Sequence, residues 1–144
     1  MPTLYIMCGL PGAGKSTFTN SRPDLETICM DRIRFELFGD EAVQTNGRRV
    51  FEIAMARVKD ALESGRDCVF DGTNTTRRRR RALMQRFPGA RFVCVWVATP
   101  VDLCIQRNAA RARVVPVEVI QNYARGFVAP DLSEGFAEIL KITP

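Results

Sequence analysis

The chain has 144 residues, of which 46% are hydrophobic and 26% charged, and it carries a formal net charge of +5. This length and composition suit one globular domain with a single core and exclude a largely disordered chain. The absence of histidine excludes histidine general bases and nearly all zinc-dependent hydrolase sites, so a metal would need oxygen ligands, as Mg²⁺ does.

Hydropathy and cysteine content indicate where the protein resides. No apolar run approaches the roughly 18 residues of a membrane-spanning helix, and the amino terminus lacks a basic segment and a cleavage site. We therefore expect an intracellular, cytoplasmic protein. The cysteines form no C-x-x-C pair, and most lie in or beside apolar runs, which predicts reduced core thiols. They are Cys8, Cys29, Cys68, Cys94 and Cys104.

A buried strand is predicted at residues 4–8, directly before the sequence Gly-Leu-Pro-Gly-Ala-Gly-Lys-Ser. This sequence matches G-x-x-x-x-G-K-[ST] between a predicted strand and a helix predicted at 15–21, the setting in which the motif forms a phosphate-binding P-loop. Backbone N–H groups converge on the phosphates, Lys15 reaches the β- and γ-phosphates, and the Ser16 hydroxyl binds Mg²⁺. The residues predicted to bind ATP or another NTP are Gly9, Gly12, Ala13, Gly14, Lys15, Ser16 and Thr17.

A weaker strand is predicted at residues 26–30 and a helix at 32–38. Asp31 would lie at the carboxyl end of this strand, where open α/β sheets bind their ligands. A carboxylate there can accept the proton of an acceptor hydroxyl, and Arg34 would lie on the same side of the helix. The alternative is an Asp that caps the helix beside a surface Arg.

A long amphipathic helix is predicted at residues 48–64 and a strand at 67–70. Asp71 follows that strand like the acidic residue of a Walker B site, although Asp-Gly is also a strong turn dipeptide. Thr73 and Asn74 extend the same loop and are predicted to contact the acceptor substrate. The predicted Mg²⁺ ligands are Ser16, with Asp31 and Asp71 acting directly or through water.

Five consecutive arginines occupy residues 77–81, within a helix predicted at 75–86. A helix spreads five successive residues around its whole circumference, so they cannot all face one ligand. Two interpretations stay open: a solvated helix surface, or a basic patch that holds nucleic-acid phosphates near the acceptor groove.

The strand predicted at residues 91–97 is apolar on both faces, which is typical of a parallel strand buried on both sides. Thr99 and Pro100 predict the N-cap and first residue of a helix at 101–112. Arg107 and Arg111 share one face of it and are predicted to lie in a mobile lid over the γ-phosphate. The alternative is a solvated basic face. A helix at 116–127 and a strand at 136–142 follow.

Strands and helices alternate along the whole chain, without repeats or linkers. This order predicts an α/β fold, a three-layer sandwich around a central parallel sheet, formed by a single domain over residues 1–144.

Five short sequences together resemble the 5′-hydroxyl polynucleotide kinases of phage type and, more broadly, the AAA-type P-loop kinases. The resemblance runs from the first to the last predicted strand, and its specificity comes from the combination rather than from the P-loop. The sequences are Gly9 to Thr17, Met30-Asp31-Arg32-Ile33-Arg34, Phe70-Asp71-Gly72-Thr73-Asn74, Gln106-Arg107-Asn108-Ala109-Ala110-Arg111 and Val115-Pro116-Val117-Glu118-Val119-Ile120.

The resemblance implies an adenylate-kinase-like sheet of five parallel strands in the order 2-3-1-4-5, a helical lid, ATP as donor and Mg²⁺ as cofactor. It implies that Asp31 is the general base on the 5′-hydroxyl of a DNA or RNA end and that Arg34 orients it or holds a neighbouring phosphate. Arg107 and Arg111 would contact the donor phosphates, and Asp71 would lie in the acceptor and Mg²⁺ region. The predicted catalytic residues are Lys15, Asp31, Arg34, Arg107 and Arg111.

Other functions stay open at this point. One is a P-loop kinase that acts on a small molecule or an aminoacyl-tRNA, and a less favoured one is a nucleotide-binding module that transfers no phosphate. Phage enzymes of this type often carry a phosphatase domain after the kinase, and none is found up to Pro144. The chain is therefore expected to be either a stand-alone kinase or the kinase domain of a longer protein, and a phage-encoded origin stays open.

Overall fold

Five parallel strands form the central sheet of the protein. The computed structural model describes residues 2–39, 47–111 and 114–144. The strand order is β2-β3-β1-β4-β5, as the resemblance predicted, and all four neighbouring pairs are parallel. The carboxyl ends of the strands therefore meet at one edge of the sheet, here called the carboxyl edge. The strands are β1 (Thr3–Cys8), β2 (Glu26–Cys29), β3 (Cys68–Asp71), β4 (Arg91–Val97) and β5 (Glu138–Ile142).

Six α-helices lie in the described residues, close to the predicted positions. Helix α2 begins two residues earlier than predicted, so Asp31 lies in the first helical turn and not at the end of β2. Helix α5 ends at Ala109, before the predicted end at residue 112, which lies outside the described residues. The helices are α1 (Lys15–Ser21), α2 (Met30–Phe38), α3 (Gly47–Glu63), α4 (Arg77–Gln85), α5 (Val101–Ala109) and α6 (Val117–Arg125).

The helices cover both faces of the sheet, which confirms the three-layer architecture. Alternate residues of β1 point to opposite faces: Ile6 belongs to the core beneath α3 and α4, and Met7 to the core shared with α5 and α6. All five cysteines are free thiols, and all but Cys29 are buried, as predicted. In the part of the chain that is described, no helix is long and apolar enough to cross a membrane.

One residue of the arginine run points into the core. Arg80 is fully buried, and its Nε and Nη2 donate to the two carboxylate oxygens of Glu134 at 2.8 and 3.1 Å. Glu134 lies in a short 3-10 helix (Leu132–Glu134) before β5 and also accepts the N–H of Asp131 at 2.8 Å. Both interpretations of residues 77–81 were therefore wrong for Arg80. Its charge is tolerated in the core because a buried carboxylate faces it and hydrogen-bonds to it.

We predict that Glu134→Ala lowers the free energy of unfolding by about 3–5 kcal/mol, because it leaves the Arg80 charge buried without its partner. Urea denaturation followed by circular dichroism measures this loss. Glu138→Ala is the matched control: its partner Arg91 is 3.7 Å away and both side chains are about half exposed, so the loss should stay below about 1 kcal/mol. Equal losses in the two variants would contradict a structural role for the buried pair.

Candidate active site

The P-loop between β1 and α1 has the backbone conformation that its glycines allow. Gly12 and Gly14 have φ angles of 82° and 97°, in the left-handed region that favours glycine. A Cβ atom on Gly12 would lie only 2.5 Å from the carbonyl oxygen of Cys104 in α5. Gly12 is therefore required twice, by its own backbone and by the close approach of α5.

The carbonyl oxygen of Ala13 fixes this loop to the segment that follows β4. It accepts hydrogen bonds from the Thr99 hydroxyl at 2.7 Å and from Arg107 Nη1 at 3.2 Å. The prediction that Thr99 caps α5 was wrong: Pro100 occupies the N-cap position, and the buried Thr99 hydroxyl supports the P-loop instead. Arg107 lies against the loop, as its predicted contact with the donor phosphates requires.

Two backbone carbonyl oxygens of the P-loop hold the ammonium group of Lys15. Its Nζ donates to the carbonyl oxygens of Gly9 and Leu10 at 3.0 and 3.1 Å. Burial lowers the pKa of Lys15, whereas the Asp71 carboxylate acts in the opposite direction and Arg111 lowers it further. Arg111 on the α5 side is thus within electrostatic range of Lys15.

Asp71 links the P-loop to the predicted general base. Burial raises the pKa of Asp71, the Lys15 charge lowers it, and the Asp31 charge raises it. The carboxyl edge therefore brings Asp71 within electrostatic range of both Lys15 and Asp31, as expected for strands that end at one edge.

Arg34 orients Asp31. Its Nη1 donates to Asp31 Oδ1 at 2.8 Å, and the Arg34 side chain is only 12% exposed while that of Asp31 is 43% exposed. The carboxylate is thus held from the protein side and remains accessible from solvent. Arg34 Nε is buried without a hydrogen-bond partner in the described structure.

The loop after β3, here called the acceptor loop (residues 72–75), is bonded to the strand that carries the P-loop. The Gly9 N–H donates to the Thr73 carbonyl oxygen at 2.9 Å, and the Asn74 side-chain amide donates to the Met7 carbonyl oxygen at 2.7 Å. Asn74 has a φ of 44°, and Arg80 Nη1 donates to its carbonyl oxygen at 3.0 Å. The Asn74 amide is therefore an anchor of the loop. The contacts of Thr73 and Asn74 with an acceptor stay predictions.

Arg80 is the residue at this site that sequence reasoning missed. Its four arginine neighbours give no indication that it differs from them, but the spacing of the apolar residues that follow does. Arg80, Leu83, Met84 and Phe87 follow the i, i+3, i+4, i+7 spacing of a buried helix face, and all four are buried. The periodicity of the apolar residues would have placed Arg80 on the inner side of α4.

The oxygen ligands at the carboxyl edge fit Mg²⁺. Ser16 is an exposed residue in the first turn of α1, and Asp31 and Asp71 contribute carboxylates. No group of three or more Cys, Asp or Glu side chains in the described residues could hold a metal ion by itself. This donor set suits an ion that takes one or two protein ligands and completes its shell with water and phosphate oxygens, as Mg²⁺ does.

The family assignment follows from comparison with known proteins. The family model described as an AAA domain matches residues 4–130. The chain belongs to this family. Its sheet order and helices are those of the P-loop kinase fold.

Curated relatives of the chain are kinases. It is 28% identical over 142 residues to an L-seryl-tRNA(Sec) kinase of Methanococcus maripaludis, covering 88% of this chain and 53% of that protein. It is 32% identical over 120 residues to an adenylyl-sulfate kinase of Shewanella baltica, covering 74% of this chain and 57% of that protein. The chain thus spans about half the length of the curated relatives it matches.

Solved structures share the fold. A chain of the Pnkp1/Rnl/Hen1 RNA repair complex matches with a TM-score of 0.79 and 20% identity, covering 87% of this chain and 43% of that one. Kti12 of Chaetomium thermophilum, in complex with ADP-AlF3, matches with a TM-score of 0.71 and 16% identity, covering 97% and 88%. At these identities the matches establish the fold alone.

We predict that Gly12→Ala weakens ATP binding by at least about tenfold, because the added methyl group must displace the Cys104 carbonyl and distort the loop. Equilibrium titration with a fluorescent ATP analogue measures the change. Gly65→Ala is the matched control, since Gly65 also has a positive φ, of 76°, but open space around it. Both variants should lose about 1–2 kcal/mol of stability through the backbone, and unchanged ATP binding in Gly12→Ala would contradict the steric explanation.

Proposed function

We propose that the protein is a polynucleotide 5′-hydroxyl kinase, which transfers the γ-phosphoryl group of ATP to the 5′-hydroxyl end of DNA or RNA. The observation that carries the proposal is the Asp31–Arg34 pair at the carboxyl edge. Asp71 connects this pair to the P-loop, because the charges of both Lys15 and Asp31 act on its pKa. A phosphate cradle and an oriented, accessible carboxylate on the same edge supply the two halves of a phosphoryl-transfer site.

In the proposed reaction the acceptor hydroxyl oxygen attacks the γ-phosphorus, and the bond from that phosphorus to the oxygen bridging the β-phosphate breaks. Asp31 accepts the hydroxyl proton, and ADP leaves with the bridging oxygen. Arg34 keeps the Asp31 carboxylate in one orientation, which reduces the entropic cost of reaching the transition state.

The donor side of the reaction is carried by positive charge around the P-loop. Lys15 and the loop N–H groups bind the β- and γ-phosphates, and Arg107 of α5 and Arg111, two residues after that helix, add positive charge. Mg²⁺, when bound, neutralises charge that develops on the phosphate oxygens. Ser16 would be its protein ligand, with the carboxylates acting directly or through water.

An exposed aromatic side chain supports a nucleic-acid acceptor. Phe35 is 59% exposed, and it is the one aromatic residue of the described chain in the exposed class. It lies four residues after Asp31, hence on the same side of α2. An exposed aromatic ring beside the general base suits stacking of the base at the 5′ end.

Two similar proteins bear names that join this fold to RNA, the RNA repair complex and the L-seryl-tRNA(Sec) kinase. The second match also favours a second candidate function. It covers 88% of this chain, and its name indicates an acceptor hydroxyl on an amino acid attached to tRNA. An assay panel therefore needs seryl-tRNA beside the 5′-hydroxyl DNA and RNA ends.

We predict that Asp31→Asn lowers kcat on a 5′-hydroxyl oligonucleotide by about 10²–10⁴-fold, because it removes the proton acceptor, while ATP binding stays unchanged. Lys15→Ala should lower transfer by about 10²–10³-fold, since its charge lies on the transferred group. Both are measured by transfer of radiolabelled γ-phosphate in the presence of Mg²⁺.

The panel of acceptors decides between the candidate functions. If the wild-type protein labels seryl-tRNA and leaves every 5′-hydroxyl DNA and RNA end unlabelled, the 5′-kinase assignment is wrong. Full turnover in Lys15→Ala would contradict phosphoryl transfer at this P-loop altogether.

We predict that Phe35→Ala raises the KM for a 5′-hydroxyl oligonucleotide by about fivefold or more, because stacking of one base contributes about 1–3 kcal/mol. The KM for ATP should not change. An oligonucleotide whose terminal nucleotide lacks its base should bind wild type and Phe35→Ala equally, since it has no base to stack. Leu37→Ala, at another exposed apolar residue of α2, is the control, and an equal effect there would exclude stacking as the cause.

A further inference from the structure

The arginine run carries more positive charge than the core uses. Arg80 is buried and paired, whereas the other four arginines are exposed. We propose that Arg77, Arg78 and Arg81, here named the arginine face, bind the sugar-phosphate backbone of the nucleic acid whose 5′ end enters the site. This inference rests on the proposed function, because it assigns the surface that holds the rest of the same acceptor.

The geometry of α4 groups these three residues. Successive helical residues are rotated by about 100°, so Arg81 stands one turn after Arg77 at an angle of about 40° from it, and Arg78 stands about 60° beyond Arg81. They occupy one continuous part of the surface, outside the buried stripe that begins at Arg80. Helix α4 begins directly after the acceptor loop, with Thr76 as its N-cap, so the arginine face begins at the carboxyl edge.

Most of the charge of the arginine face has no carboxylate partner within the described residues. Arg78 and Arg81 form no ion pair there, and Arg77 approaches Glu134, which is already bound to Arg80, only to 3.9 Å. Several arginines elsewhere in the described chain have a carboxylate partner of their own. These are Arg22, Arg57, Arg66, Arg86 and Arg91.

The position of these positive charges also lowers the stability of α4. The first turn of α4 contains no acidic residue, and positive charge is unfavourable at the amino end of a helix, where the backbone dipole is positive. Like charges three and four residues apart add repulsion. Charges that the fold does not need, and that weaken their own helix, indicate compensation by a polyanionic partner.

The chemistry of the side chains selects nucleic acid as that partner. All three residues are arginines, whose guanidinium groups bind phosphate oxygens through paired hydrogen bonds. A strand that leads away from the acceptor site presents phosphates at regular intervals along the adjoining surface. An acidic peptide would offer carboxylates to the same charges, and the experiment below includes it as a competitor.

The test uses the triple variant Arg77→Gln, Arg78→Gln, Arg81→Gln. We expect the KM for a 5′-hydroxyl dodecanucleotide to rise by about tenfold or more, whereas the KM for a dinucleotide and the Kd for ATP stay unchanged. For binding of a 5′-phosphorylated dodecanucleotide, the slope of log Kd against log salt should fall by about 2, at roughly 0.7 per phosphate contact. The melting temperature should stay equal or rise, because the substitutions remove repulsion.

The matched control carries the same change of charge at the opposite edge of the sheet. Lys59→Gln, Arg66→Gln, Arg91→Gln alters the end of α3 and the residues at the starts of β3 and β4. It should retain wild-type binding of the dodecanucleotide. An equal loss in both triple variants would reduce the effect to net charge and overturn the inference.

Other outcomes also decide the matter. An equal rise of the KM for dinucleotide and dodecanucleotide would place the arginines in the active site itself and would overturn the inference. Displacement of the oligonucleotide by polyglutamate of equal charge would show that the arginines bind any polyanion, and this result would also overturn the inference. If the wild type labels no 5′-hydroxyl end, the proposed function fails, and binding of the phosphorylated dodecanucleotide tests the inference without any activity. A loss of that binding in the arginine triple variant would then support the inference, and unchanged binding would overturn it.

Discussion

The desolvation of the Lys15 ammonium is the constraint on which the carboxyl edge depends. Burial lowers the pKa of Lys15, and its charge is held by the carbonyl oxygens of Gly9 and Leu10 and by the Asp71 carboxylate. The same burial raises the pKa of Asp71 while the Lys15 charge lowers it. Each group therefore favours the charged form of the other. A triphosphate adds negative charge beside Lys15, so its binding favours the ammonium that phosphoryl transfer needs.

One backbone hydrogen bond and one side-chain hydrogen bond join the acceptor loop to the end of β1 and the start of the P-loop. Gly9 donates to the Thr73 carbonyl oxygen, and the Asn74 amide donates to the Met7 carbonyl oxygen, so the acceptor loop is bonded to the end of β1. Arg80 completes this arrangement by binding the Asn74 carbonyl oxygen from the core. The buried ion pair thus has a consequence beyond stability, because Arg80 also holds the acceptor loop in place. Phosphoryl transfer depends on positioning, and a fixed loop serves it.

The sequence allowed the fold and the backbone conformation of the P-loop to be predicted because both depend on strong local patterns. Short apolar runs bounded by glycines and alternating with amphipathic helices leave few architectures, and the P-loop motif specifies its own backbone. The helix caps and the arginine run were harder. Thr99 has the residue type of an N-cap, but its hydroxyl bonds the Ala13 carbonyl, a contact between segments 86 residues apart. Arg80 looked like its neighbours because residue type alone does not show which side of a helix faces the core.

The acceptor half differs from the donor half in the chemistry of recognition. The donor phosphates meet backbone N–H groups and glycines, which every P-loop protein shares, so the motif identifies a nucleotide and nothing further. The acceptor meets side chains, and these can differ between chains of the same fold, as the seryl-tRNA and adenylyl-sulfate kinases among the relatives illustrate. Information about the acceptor therefore lies in features that the fold does not require. In this chain such features are the exposed ring of Phe35 and the concentrated positive charge of the arginine face. Both are costly in water alone, and a stacked base and a row of phosphates would offset both costs at once.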